Sequence, residues 1–315
     1  MYKIFIDGKE GTTGLKITER FKGRDDVELL EISEELRKDT SERKRLINAS
    51  DFTFLCLPDD AAREAVSLVD NDHTRIIDAS TAHRTAEGWV YGLPELTPTR
   101  RDEIAAAPRV AVPGCYASGF NALMYPMVHN GFISPELPIV CHAVSGYSGG
   151  GKKLIAMYED SGRDEEWAST RMYAMGKTHK HIKEMMAVSG LSCTPIFCPS
   201  TGDFFSGMIV TVPVHLRSLA KTATAEDVWE MLSAHYEGQH FVRVRPFAGA
   251  GSPAETALFS NSLRDTNFLD IYVYGNEDYV LMCSVLDNLG KGASGAAIQN
   301  MNIRLGADEA TGLTV

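Results

Sequence analysis

Several shortages in this chain of 315 residues narrow what it can be. Its six cysteines, at 56, 115, 141, 193, 198 and 283, include no C-x-x-C pair. A disulfide framework and a zinc centre are therefore not expected, and no metal site is assigned. Positive charge is in deficit, with 31 Lys and Arg against 42 Asp and Glu and a net charge of −11. Nucleic acid and anionic membrane are poor partners for such a chain, and an anionic ligand needs a local cluster of basic side chains. No apolar run approaches the roughly 20 residues that cross a bilayer. The opening Met1-Tyr2-Lys3-Ile4-Phe5-Ile6-Asp7 is interrupted too early for a secretory signal. No internal repeat or low-complexity tract is present. These absences lead to the expectation of a cytoplasmic protein with reduced thiols.

What is present suits two domains, since the length is generous for one and 44% of residues are hydrophobic. Strand-like segments Lys3–Asp7, Val27–Ile32, Phe52–Leu57, Arg75–Ala79 and Val110–Val112 alternate with helical patterns at 15–21, 41–49, 61–69 and 101–107. Nearly all-apolar strands in βαβ alternation predict an α/β fold, a Rossmann-type doubly wound parallel sheet. Ligands of such sheets lie beyond the carboxyl ends of the strands. Further on, Ile139–Val144, Phe204–His215, Phe241–Phe247, Asp270–Tyr274 and Tyr279–Val285 are β-rich with one clear helix, Ala225–Tyr236. That pattern predicts a second α+β domain with a mixed, largely antiparallel sheet, suited to a dimer face.

The first strand runs into Gly8, Gly11, Thr12, Thr13 and Gly14, a G-x-x-G-x-x-G spacing that opens a helix. Without side chains at the glycines a pyrophosphate can approach the backbone and the helix N-terminus. Glu10 in the same loop opposes a phosphate. Beyond the second strand Glu31 is suited to a ribose hydroxyl, whereas Ser33, Arg37 and Lys38 are suited to a 2′-phosphate, so these residues leave NAD against NADP undecided. Asp59 or Asp60 is expected to cap a helix. Arg84, in the loop after the strand ending at Ala79, is a candidate anion ligand.

The densest chemical signal is Val110-Ala111-Val112-Pro113-Gly114-Cys115-Tyr116-Ala117-Ser118-Gly119. A β-branched run ends at Pro113, Gly114 permits a bend, and helical spacing follows Cys115. A cysteine at a helix N-terminus lies in the positive end of the dipole, where a thiolate is favoured and free N–H groups can hold an oxyanion. The Gly/Ser loop Ser145-Gly146-Tyr147-Ser148-Gly149-Gly150-Gly151-Lys152-Lys153 can hold phosphate through backbone and lysines. His179-Lys180-His181-Ile182-Lys183-Glu184 is expected in a helix, with His179 and Lys183 on one face and His181 and Glu184 on another. Either histidine could serve as a proton donor or base for Cys115.

Together, Val110-x-Val112-Pro113-Gly114-Cys115-Tyr116-Ala117-Ser118-Gly119 with Pro126, Ser145-Gly146-x-Ser148-Gly149, His179-Lys180-His181-x-x-Glu184, and Asp287-Asn288-Leu289-Gly290-Lys291-Gly292-Ala293-Ser294-Gly295 with Gln299-Asn300-Met301-Asn302 resemble N-acetyl-γ-glutamyl-phosphate reductase in its shorter form. The resemblance spans nearly the whole chain in the expected order. Ser118 stands where that family often has Thr. The resemblance implies NADP(H)-dependent reduction of an acyl phosphate to an aldehyde in arginine biosynthesis. It implies an NADP-binding Rossmann domain of residues 1–114, completed by a C-terminal helix region 289–315, and a catalytic and dimerisation domain of residues 115–288. Carried over by position, Cys115 is the nucleophile, His179 the acid/base with His181 in reserve, and Glu184 a supporting residue. Gly8, Gly11, Thr12, Thr13 and Gly14 would hold the pyrophosphate, with Asn288 near the nicotinamide. Arg84, Ser145, Ser148 and Lys152, with Lys153, are the candidates for substrate. A homodimer or homotetramer is implied. The alternatives are a paralogue acting on an aminoadipyl or aspartyl substrate, which would keep every motif, and, outside this class, a thiol acyltransferase or hydrolase or a cofactor-binding regulator.

Overall fold

Strand β1, Tyr2–Asp7, sends Ile4 and Ile6 to one face of a sheet and Phe5 to the other, as a period of two requires. In the computed structural model, which describes residues 1–176, 178–249 and 257–315, the chain divides into two units. One is Met1–Gly114 with Ala293–Val315, and the other is Cys115–Gly292.

The first unit continues through α1 (Thr12–Arg20), β2 (Val27–Leu30), α2 (Thr40–Ala49), β3 (Phe52–Leu55), α3 (Asp59–Ser67) and β4 (Arg75–Asp78). Then come β5 (Val90–Tyr91), α4 (Arg100–Ala106) and β6 (Arg109–Ala111). The second unit holds α5 (Cys115–His129), β7 (Val140–Gly146), α6 (Gly151–Glu159), β8 (Arg171–Met172), α7 (His181–Ser189) and β9 (Ile196–Gly202). It ends with β10 (Met208–His215), α8 (Ala225–His235), β11 (Val242–Val244), β12 (Leu269–Gly275) and β13 (Tyr279–Leu286). A π-helical turn over Gly290–Ser294 leads into α9 (Gly295–Leu305), which belongs to the first unit.

In the first unit six parallel strands lie in the order β2-β1-β3-β4-β6-β5. Ile4, Ile6, Phe52, Phe54 and Ile77 pack on Ile17 of α1, on Phe21 at its C-cap and on Ala297, Ile298 and Met301 of α9. On the opposite face Phe5, Leu55 and Ile76 meet Leu46 and Ile47 of α2 and Ala62 and Ala65 of α3. Helices thus cover both faces, which is why the strands carry apolar residues at consecutive positions. This is the doubly wound sheet expected from the sequence.

In the second unit seven strands lie in the order β11-β12-β13-β10-β7-β9-β8. β11 with β12 and β7 with β9 are parallel, and the other neighbours are antiparallel, so the sheet is mixed as expected. Val210, Val212, Val214, Met282 and Ile271 face a core shared with Phe120 and Leu123 of α5, Met185 of α7 and Val228 and Leu232 of α8. Several details differ from the sequence-based pattern. The two-residue edge strand β5 and strand β9 were not anticipated, since β9 carries Pro199 and follows Pro195, residues that read as punctuation. The glycine loop ends at Gly151, where α6 begins and takes Lys152 and Lys153 into its first turn. Helix α7 starts at His181, so His179 precedes it and shares no helical face with Lys183. The ring of His179 explains this start, because its Nδ1 takes the N–H of His181 at 3.1 Å. Among the described residues no helix is long and apolar enough to cross a membrane.

Candidate active site

Strand β6 stops where Pro113 can donate no ladder bond, and the chain turns at Gly114 into α5, whose first residue is Cys115. The sulfur therefore sits where the first backbone N–H groups of a fifteen-residue helix have no acceptor within the helix. Pro126 lies inside that helix and cannot bond to the carbonyl of Ala122, and the Tyr236 hydroxyl donates to that oxygen instead, at 2.7 Å. The middle of the helix is buried from Tyr116 to Met124.

A second segment arrives at Cys115 from the far end of the unit. A β-carbon added at Gly292 would lie 2.7 Å from Cys115 Cβ and 3.1 Å from the carbonyl oxygen of Asp287. The turn that delivers Gly292 is built by Asp287. Its carboxylate accepts from the N–H of Asp265 at 2.8 Å and of Leu289 at 3.1 Å, and its carbonyl accepts from the N–H of Gly292 at 2.9 Å. Asn288 next to it accepts from the N–H of Gly207 at 2.8 Å and donates to the Ser148 hydroxyl at 3.0 Å. Asn288 thus ties the Ser145–Gly149 loop to the turn before β10, and the Ser145 hydroxyl donates to the carbonyl of Gly146.

Around Tyr116 an aromatic cluster forms. The rings of His179, His181 and Phe197 lie 5.8, 5.9 and 5.2 Å from that of Tyr116. The Tyr116 hydroxyl donates to the carbonyl of Ser200 at 3.1 Å and receives from the Tyr173 hydroxyl at 3.2 Å. Burial holds both phenols protonated, with Tyr173 pushed up to about 12. Burial, and then the charge of Lys180, push His179 down to about 4. Glu184 is buried one turn into α7, three residues after the buried His181.

In the first unit the residues fit a phosphate-bearing nucleotide. Gly8 has φ +88°, a left-handed conformation that a side chain would strain, and a β-carbon at Gly14 would meet the Gly8 carbonyl at 2.6 Å. The N-cap of α1 is Gly11, so no side chain takes the helix's first N–H groups. The hydroxyl of Thr12 is buried there without a hydrogen-bond partner among the described residues. Beside it opens a cleft of about 280 Å³ lined by Gly8, Gly11, Arg37 and Lys38 among others. Open N–H groups, an unused hydroxyl and Lys38, with Arg37 held by Glu34, match the demands of phosphate. Lys9 is paired with Glu31, whereas Glu10, the carboxylate that opposes a phosphate, also lines the cleft.

The other candidates are placed as follows. Arg84 donates to the carbonyls of Val112 at 2.9 Å and Ala79 at 3.1 Å, bracing the carboxyl ends of β6 and β4. Ser33 is exposed beside the cleft and does not line it. Lys152 is exposed on α6. Thr13 lies in the first turn of α1, and the Ser148 hydroxyl accepts from Asn288. Gly292, Asp287, Tyr116 and Tyr173 were passed over in the sequence-based site. The first three stood inside quoted motifs, but only packing shows what they touch. Among the described residues no group of three or more His, Cys, Asp or Glu side chains is placed to hold a metal ion.

Comparison with known proteins agrees with these two units. Residues 3–106 match the semialdehyde dehydrogenase NAD binding domain, and residues 115–288 match the semialdehyde dehydrogenase dimerisation domain. N-acetyl-gamma-glutamyl-phosphate reductase 2 of Nostoc sp. is 47% identical over 319 residues, 99% of each chain. The protein of the same name from Pseudomonas putida is 44% identical over 311 residues, 98% of each. Among solved structures, aspartate semialdehyde dehydrogenase II from Vibrio cholerae superposes with a TM-score of 0.70 over 97% of this chain and 98% of that one, at 18% identity. The enzyme from Francisella tularensis gives 0.71 over 96% and 99%, at 14% identity. A nucleotide-ready Rossmann unit, a cysteine at the head of a buried helix and full-length similarity lead to one assignment: the chain belongs to the N-acetyl-gamma-glutamyl-phosphate reductase family of semialdehyde dehydrogenases.

Proposed function

We propose that this chain reduces N-acetyl-L-glutamyl 5-phosphate to N-acetyl-L-glutamate 5-semialdehyde and phosphate through a thioester on Cys115, as a step of arginine biosynthesis. The observation that carries this is Cys115 at the first residue of α5 with the Gly292 backbone packed against it, in a chain 47% identical to a named reductase. The Cys115 sulfur attacks the acyl carbon, phosphate leaves, and the N–H groups at the head of α5 meet the oxygen that gains charge. A thioester is electrophilic enough to accept hydride where a carboxylate is not. Gly8, Gly11, Thr12, Thr13 and Gly14 would hold NADPH, with Arg37 and Lys38 toward its 2′-phosphate, and the cofactor would supply that hydride. The adduct on Cys115 then collapses, the C–S bond breaks and the aldehyde leaves. His179 serves the oxygen of the reacting carbon, and His181 with Glu184 holds the base of α7 in place. Ser145 and Ser148 shape the loop that faces substrate.

The assembly is proposed to be a homodimer through the sheet of the second unit. Helices cover its core face, while Val140, Ile196 and Tyr279 are exposed on the other. Strand pairing places these three on that common face. Such an apolar sheet face suits a second copy. A cytoplasmic setting fits a biosynthetic enzyme whose six cysteines form no disulfide.

The test runs the reaction backwards. Wild type should reduce NADP+ when given N-acetylglutamate semialdehyde and phosphate, and a folded Cys115→Ala variant should not. Turnover by that variant would remove Cys115 as nucleophile. Turnover only with aspartyl or aminoadipyl semialdehydes would reassign the substrate.

A further inference from the structure

In a Rossmann unit the residues just past the second strand meet the ribose of the adenosine half. A carboxylate there accepts from a 2′-hydroxyl and repels a 2′-phosphate. Glu31 holds that place in this chain, directly after β2 and roughly 20 residues beyond the glycine run, the usual interval for such an acid. Taken alone, it selects a nucleotide without the 2′-phosphate.

The fold sets a cation against that charge. Lys9, the only basic residue between Gly8 and Gly14, forms an ion pair with Glu31. β1 and β2 are parallel neighbours with Phe5 beside Leu30, so the residues that leave the two strands stand together. Lys9 and Ile32, the neighbour of Glu31, both line the cleft of about 280 Å³, which puts the pair at its rim. The other charged groups around this cleft are differently engaged. Arg43 holds the Asp7 carboxylate at 2.9 Å, and Glu34 holds Arg37 at 3.2 Å. With Lys9 present, three cations, Lys9, Arg37 and Lys38, balance three carboxylates, Glu10, Glu31 and Glu34. Without it the carboxylates are in excess.

We propose that Lys9 is a specificity-determining residue for NADPH. It neutralises Glu31, and its ammonium turns from Glu31 to the 2′-phosphate when one enters the cleft. The side chains of the pair are 33% and 62% exposed, and ion pairs so open to water are weak, so the exchange costs little. A lysine suits it, being a compact charge on a flexible stem. This rests on the reading of the first unit as the NADPH-binding domain and adds to Arg37 and Lys38 a residue which that reading left out.

Methionine at position 9 keeps the stem and removes the charge, leaving Glu31 unpaired beside the ribose. NADPH then meets a bare carboxylate, whereas NADH offers that carboxylate a hydroxyl. A role confined to shaping the loop would instead affect both nucleotides alike. Fluorescence titration of the full-length protein with NADPH and with NADH, in the absence of substrate, separates the two. Wild type should favour NADPH. Lys9→Met should weaken NADPH by about 10- to 100-fold, the worth of a charge-assisted hydrogen bond, and change NADH by less than about twofold. Adding Glu31→Gln to Lys9→Met should tighten NADPH again by about threefold or more, because the repulsion goes with the charge. Unchanged NADPH affinity in Lys9→Met, equal losses for both nucleotides, or a double variant no tighter than Lys9→Met would each overturn the proposal. A wild-type protein that binds neither nucleotide would remove the cofactor reading of the first unit and this proposal with it. Nucleotide binding without turnover of the semialdehyde would remove the proposed reaction alone, since the titrations still decide what Lys9 does.

Discussion

Gly292 lies with its backbone against Cys115, so close that a β-carbon there would stand 2.7 Å from Cys115 Cβ and 3.2 Å from its Cα. Both neighbours belong to the rigid start of α5, and neither is the far end of a flexible side chain. An added methyl must therefore push the thiol or the Asp287 turn out of place. Gly292→Ala should lower kcat by about 10²-fold, the cost of a displacement near 1 Å at a reacting group. The rate of Cys115 alkylation by iodoacetamide should change with it. A variant with wild-type kcat would show that the contact is slack.

The same helix is seated by Gly119, where a β-carbon would meet the Ser284 hydroxyl at 2.5 Å and Val210 Cγ2 at 2.8 Å. Gly119→Ala should destabilise the fold by about 1–3 kcal/mol through overpacking. Combining it with Ser284→Ala should recover part of that loss, because one of the two clashes is removed. A double-mutant cycle in urea reads the coupling, and strict additivity would refute the predicted clash.

Removing the Tyr236 hydroxyl leaves the carbonyl of Ala122 buried opposite Pro126 with no donor from the helix. Tyr236→Phe should cost about 1–3 kcal/mol of unfolding free energy, the usual penalty for an orphaned buried acceptor, and leave KM for the semialdehyde unchanged. Urea titration and steady-state kinetics on one preparation check both halves.

Thr12 offers a buried hydroxyl with no hydrogen-bond partner among the described residues. Thr12→Val, which keeps the shape, should leave thermal stability equal or slightly raised and weaken NADPH binding by roughly 5- to 10-fold, the worth of one hydrogen bond. Fluorescence titration of NADPH into the two proteins measures this without turnover. Unchanged affinity would remove Thr12 from the phosphate cradle.

His179 also carries a stability signature. Its pKa in the folded chain is about 4, below the ordinary 6.5, mainly through burial and then Lys180. The unfolded chain binds a proton that the folded ring refuses, so stability falls as pH drops from about 6.5 to about 4 and is indifferent to this group above 6.5. Measured against His179→Gln, wild type should lose ground only in that window. Parallel curves from pH 7 to 4 would contradict the assignment.

Much of the molecule is written locally. Apolar runs at β1, β3 and β4, the glycines at 8, 11 and 14, and the Pro113-Gly114-Cys115 corner each express a preference settled within a turn or a strand, so their elements could be read from neighbours in the chain. The helix start at His181 could not be, because it depends on a side chain outside the helix giving Nδ1 to a backbone N–H. Strand β9 could not be either, since its parallel partner β7 compensates for prolines that locally argue against a strand. Gly292 reaching Cys115, Tyr236 serving Ala122 and α9 completing the sheet of the first unit all join residues more than a hundred positions apart. Those contacts are chosen by how the whole chain buries its apolar faces and satisfies its buried carbonyls, a global balance that local residue preferences do not contain.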